Sequence, residues 1–151
     1  MRGPFRRSAG FLKVKAKKAD FTGAEMEGVD LTKANLEKAD FEAADLTGAF
    51  VVDAKLKDAN FHGAVLIGAT LIGSDVERAD FTGAILSGAD VSGLVTVEAE
   101  DFRGAEWNDD TQLHPDMNTN IMVYVPEPGG MLSPVVGVSS LAMLGRSRSR
   151  S

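Results

Sequence analysis

The chain of 151 residues contains no cysteine, which excludes disulfides and thiolate metal ligands and leaves the redox compartment open. Histidine is nearly as scarce. His62 and His114 stand far apart without clustered partners, so neither a histidine metal site nor a histidine acid–base pair is expected. Aromatics make up 7% of the residues, with one Trp and one Tyr. No GxxxxGK[ST] loop occurs, and the serines lack a histidine base. Residues 129–144 are sixteen weakly apolar, uncharged positions, short of the roughly 20 that a membrane-spanning helix needs. These gaps together argue against an enzyme and against any cofactor.

Charge is present but segregated. Residues 1–18 carry seven basic side chains and no acid. Residues 19–110 carry twenty acids against six bases, and residues 111–151 are close to neutral with two acids and three arginines. An acidic middle therefore follows a basic lead.

The middle is periodic. From Ala19 to Gly93 it reads in fifteen consecutive fives, ADFTG, AEMEG, VDLTK, ANLEK and onward. With the large apolar residue of each unit called i, a small residue, usually Ala, stands at i−2. On an α-helix a five-residue step rotates the apolar set by about 140°, scattering it around the axis. In a strand an odd step throws alternate pairs onto opposite faces. Each unit is instead one short extended side followed by a corner, which glycine at i+2 eases. Phenylalanine occupies position i at Phe21, Phe41, Phe61 and Phe81, a period of twenty residues, or four sides per turn. The other columns are Met26/Leu46/Leu66/Leu86, Leu31/Val51/Leu71/Val91 and Leu36/Leu56/Val76. Phe102 and Trp107 each fall 21 residues after their column mates, so one residue is inserted within residues 94–99. Trp107 is expected to close the Met26 column, since an open solenoid end exposes core and backbone.

The units resemble the pentapeptide repeat family, whose pattern is A(D/N)Lxx, over about 90 of the 151 residues. The resemblance implies an all-β fold, a right-handed quadrilateral β-helix with i and i−2 inward, here of about four and a half coils. It implies no single function. The expected organisation is a basic lead at 1–18, the β-helix at 19–108, a polar connector at 109–125 and a tail at 126–151.

With i and i−2 buried, the remaining positions form the surface. On the Leu36 face the columns Glu37/Lys57/Glu77 and Lys38/Asp58/Arg78 alternate in sign, as a register device on a solvated face would. Asp20, Asp40, Asn60 and Asp80 form a ladder on the Phe21 face. Carboxylates one coil apart suit a cation such as Ca²⁺, but no glycine-bounded ligand loop accompanies them, and no metal site is expected. The Met26 and Leu31 faces share a corner bearing large apolar residues at outward positions: Phe50, Val52, Val65, Ile67, Ile72 and Ile85. Such a patch marks an interface, with a protein partner or in self-association. Its other expected cover is the chain's own apolar run at 121–125.

The tail carries Pro126, Glu127 and Pro128, then the apolar stretch, then Arg146, Arg148 and Arg150. That order resembles the PEP-CTERM sorting signal of exported bacterial proteins, which implies membrane contact through the tail alone and processing by an exosortase-type enzyme. The other reading is a Gly/Ser/Pro-rich tail without a sorting role. The start, basic at Arg2, Arg6 and Arg7, is not followed by an apolar signal-peptide core, so export is expected only with an upstream start. Two classes of function follow. One is an envelope or surface scaffold that presents the apolar corner to a partner. The alternative is a cytoplasmic acidic rod that mimics DNA, as some pentapeptide repeat proteins do toward gyrase. Nucleic acid is not an expected partner; the basic lead permits contact with phosphate or anionic lipid without specifying it.

Overall fold

Every five-residue unit makes the same local choice, and the fold is that choice repeated. In the unit from Phe21, the carbonyl of Phe21 accepts the Ala24 N–H at 2.9 Å across a tight turn, with Gly23 at φ 65°. A positive φ at the third turn position is what a type II turn demands, and glycine meets it without a Cβ clash. Asp or Asn at i−1 then locks the corner. The Asp20 carboxylate accepts the Thr22 N–H at 2.9 Å, and Asp40, Asn60 and Asp80 accept those of Glu42, His62 and Thr82 in the same way. The Asp ladder is thus a set of turn braces, each using its side chain on its own backbone.

The computed structural model describes residues 13–127. Parallel bridges join each side to the side twenty residues on, as in Asp20↔Asp40↔Asn60↔Asp80 and Asp45↔Val65↔Ile85. Most sides contribute a single bridging residue, so among the described residues strands of two residues form only at 106–107 and 123–124. The phenylalanine column is continuous. Rings of Phe21, Phe41, Phe61, Phe81 and Phe102 follow one another at 4.9, 4.8, 4.7 and 4.7 Å, within 14° of parallel. From Met26 to Phe102 the large residues at i are buried, and so are the small ones at i−2 from Val29 onward. Ser74 replaces alanine in that small column. Its buried hydroxyl accepts the Ala54 N–H at 3.0 Å and donates to the Val51 carbonyl, standing inside the turn of the coil below.

The single-residue insertion has a structural counterpart. Val76 N–H reaches the carbonyl nineteen residues on, at Val95, whereas Phe81 N–H reaches that of Asp101, twenty on. The 3-10 helix Ala99–Phe102 takes up the extra residue before Phe102 rejoins its column.

Two boundaries differ from the expectation. The solenoid does not begin at Ala19: Lys15 bridges Asn35, and Ala19 N–H closes a turn onto Ala16. Ala16 holds the place of Leu36 one coil earlier, and an alanine where the pattern demands a large residue hid the unit. Nor is the segment from 109 only a connector. Gln112 bridges Asp90, a 3-10 helix covers Thr119–Ile121, and two strands form, β1 (Glu106–Trp107) and β2 (Val123–Tyr124). β2 pairs in parallel with β1, Glu106 opposite Val123 and Trp107 opposite Tyr124. The run 121–125, one of the two expected covers for the apolar corner, therefore lies on the end of the rod.

Candidate interaction surface

The outward positions fall on four faces of different character. On the Leu36 face the expected charge ladder forms. Lys17–Glu37 at 2.8 Å, Lys57–Glu77 at 2.6 Å and Arg78–Asp58 at 2.8 Å each join neighbouring coils, and Lys38 reaches Asp58 at 3.2 Å. Arg78, then Lys38, hold the Asp58 carboxyl below the usual range, and Lys57 does the same for Glu77. Depressed carboxyls favour the fold above the unfolded pKa and lose that contribution as pH falls. The groups are open to solvent, so these pairs set register more than stability.

The six residues expected to form the apolar corner lie on two faces of the coil. Val65 and Ile85 are bridged rungs of one column on the Met26 face. Val52 and Ile72 are rungs of another on the Leu31 face, where Asp53 N–H bonds the Ile72 carbonyl at 2.9 Å. Phe50, Val52, Val65 and Ile85 are half-buried, while Ile67 and Ile72 are 42% and 41% exposed. Two residues not foreseen extend the same columns at the rod's end. Val123 lies beyond Glu106 in the Val65/Ile85 column, and Val125 N–H bonds the Trp107 carbonyl at 2.8 Å. Both are exposed. No five-residue pattern marks them, because they belong to the irregular closing segment.

That segment is pinned by a polar corner, also unforeseen. The buried Asn108 side chain accepts the N–H of Gly88 at 3.0 Å and of Asp110 at 3.1 Å, and donates to the Glu127 carboxylate. Thr111 donates to the Leu86 carbonyl at 3.0 Å. Of the residues expected to form a sorting motif, Pro126 and Glu127 are exposed at the end of the described chain, while Pro128, Arg146, Arg148 and Arg150 lie outside the described residues.

One carboxyl stands apart. Asp101 occupies the bracing position before Phe102, but one of its oxygens is buried without a hydrogen-bond partner among the described residues. Burial, then the charges of Glu98 and Asp80, push its pKa up to about 6. The fold favours the neutral form, so this contribution is complete below the unfolded pKa and is lost as pH rises toward 6. Asp101→Asn should melt like the parent near pH 4 and above it beyond pH 6. The difference, discounted for partial exposure, is about 1 kcal/mol. Equal melting at both pH values would contradict the assignment.

Four sides per turn, parallel pairing at a twenty-residue step and an alanine/large-residue interior define a four-sided β-solenoid. The chain belongs to the pentapeptide repeat family, whose model matches in eight copies over residues 13–48, 24–63 and 59–93. The family fold is the right-handed β-helix. Among solved structures, a pentapeptide repeat protein from the thylakoid lumen of Arabidopsis thaliana is 27% identical, with 76% of this chain and 77% of that one covered and a TM-score of 0.59. A pentapeptide repeat protein from the cyanobacterium Nostoc is 21% identical over 74% of this chain and 86% of that one, with a TM-score of 0.39. QnrB1, a plasmid-mediated fluoroquinolone resistance protein, in a trypsin-treated form, is 16% identical over 93% of each chain, with a TM-score of 0.35. No curated protein matches the chain.

Proposed function

We propose that the protein is a non-enzymatic scaffold that binds another protein, or a second copy of itself, through the apolar corner. The observation that carries this reading is the exposure of Ile67 and Ile72, at 42% and 41%, beside the apolar rungs Val52, Val65 and Ile85. The same outward columns carry Glu27, Thr47 and Ser87, or Thr32 and Ser92, in other coils. The fold therefore accepts polar residues there, and the apolar choice serves contact rather than folding. An acidic DNA mimic fits less well. Mimicry needs an unbroken negative surface, and the Leu36 face alternates sign through Lys17–Glu37, Lys57–Glu77 and Arg78–Asp58.

Ile67→Glu with Ile72→Lys should leave the melting curve close to that of the parent while abolishing self-association in sedimentation or capture of the partner in pull-down. If the parent is monomeric and captures nothing that the variant loses, the corner is only surface.

We further propose that the tail sorts the protein to a bacterial envelope, with Pro126, Glu127 and Pro128 as the processing motif of an exosortase-type enzyme and Arg146, Arg148 and Arg150 as the cytoplasmic stop. Joined to a signal peptide, the full chain should fractionate with membranes, and a chain ending at Val125 should be released as a soluble exported protein. Identical fractionation of the two would rule out sorting by this tail.

A further inference from the structure

Eight corners of the solenoid place glycine at positive φ, from Gly23 to Gly88. Among the corners with a side chain at positive φ, which include Ala43, Asp53, Asp58 and Arg78, four carry lysine: Lys13, Lys18, Lys33 and Lys38, at φ 61, 60, 60 and 61°. Lysine enters the left-handed region against a steric penalty that glycine escapes. These four are also not scattered. Lys13 and Lys33 occupy one corner column in neighbouring coils, since Lys13 N–H bonds the Thr32 carbonyl at 2.9 Å. Lys18 and Lys38 occupy the next column, where Lys18 N–H bonds the Glu37 carbonyl at 2.9 Å. Coils lie roughly 4.8 Å apart, so each column sets like charge beside like charge.

The two columns frame the Leu36 face at its N-terminal end, and Lys15 and Lys17 stand exposed between them. Among the described residues only two of these six lysines are paired, Lys17 with Glu37 and Lys38 with Asp58. Glu25, Glu27, Asp40, Glu42 and Asp45 lie on the Met26 and Phe21 faces. Glu37 stands on the Leu36 face, and Asp53 and Asp58 follow the lysines in the two corner columns. Charge repulsion between neighbouring coils is tolerated at this end of the face, and an anion lying against it relieves that repulsion.

We propose that this lysine-framed face docks the rod on an anionic phospholipid surface. The face is a flat side of a β-helix, so it meets a plane better than it enters a groove. Its cations are lysines, point charges suited to diffuse attraction, and the face offers neither an arginine fork nor an aromatic plane to read or stack bases. Arg78, two coils on from Lys38 in the same column, is engaged with Asp58. The chain carries a net charge of −6, so approach to an anionic layer needs a local excess of cations, which the six lysines supply at this end of the face against Glu37. With the Leu36 face on lipid, the apolar corner between the Met26 and Leu31 faces points away and stays open to a protein.

Flotation of the full chain with phosphatidylcholine vesicles, with and without one quarter phosphatidylglycerol, tests this. The excess binding to the anionic vesicles should fall steeply with salt. Replacing Lys13, Lys18, Lys33 and Lys38 together by glycine should weaken it by about fivefold per lysine, hundreds-fold in all. The same variant should melt above the parent, which a merely structural role for the lysines would not produce. Replacing the four by arginine should preserve binding, and Lys15→Glu, at an ordinary backbone position, gives a second route to the loss. Undiminished anionic excess in the glycine variant, equal binding to both vesicle types, or tighter binding to a DNA duplex than to anionic vesicles would each overturn the proposal.

Discussion

Leu66→Ala should lower the free energy of unfolding by about 2–5 kcal/mol in a urea melt, while Thr82→Ala should stay within about 0.5 kcal/mol. Leu66 has no accessible surface and sits mid-column between Leu46 and Leu86, themselves fully buried. Adjacent coils are held by hydrogen bonds on both sides, Leu46 N–H to the Val65 carbonyl at 2.7 Å and Leu66 N–H to that of Ile85 at 2.8 Å. The shell therefore cannot collapse into the space that a deleted isobutyl group leaves, and the full cavity cost is expressed. Thr82 stands at an outward i+1 position, where its N–H is braced by Asp80 and its carbonyl accepts from Gly63 at 3.0 Å. Both contacts use backbone atoms and survive the change to alanine. Equal destabilisation by the two substitutions would mean that the inward and outward phases are exchanged.

That contrast rests on a phase legible in the residues alone. Phenylalanine recurring every twenty residues determines both the four-sided coil and the register, because a slip of one residue would put every ring outside. Even the inserted residue was readable, from Phe102 and Trp107 each arriving one position late. What was not legible has physical causes. Ala16 holds a position where only a large residue announces the pattern, so its coil was invisible. The corner residues Lys33 and Ala43 adopt a conformation that composition alone assigns to glycine, and only the closed coil forces it on them. The apolar corner was readable as a list of outward residues. Its extension to Val123 and Val125 was not, since that depends on β2 adding a rung by long-range pairing rather than by period.

The closing segment carries the second large effect. A chain ending at Asp110 loses Met117 and Met122, both buried, and the bonds from Gly104 to Ile121, Val123 to Ala105 and Val125 to Trp107 at 2.6, 2.8 and 2.8 Å. It also loses Tyr124, whose ring meets that of Trp107 edge-on at 5.0 Å. These contacts are lost together, because the segment is held only by its pairing with the last coil. The expected result is a lowered melting temperature with aggregation through the opened end, because a solenoid without its cap exposes both core and unpaired backbone. A chain ending at Gly130 keeps β2 and the Asn108–Glu127 contact and should melt like the full protein. Trp107 is the one tryptophan in the sequence, so its emission reports on the cap directly. The spectrum should shift to the red on truncation at Asp110 and stay unchanged on truncation at Gly130. Identical melting and emission for the two truncations would show that β2 does not close the rod.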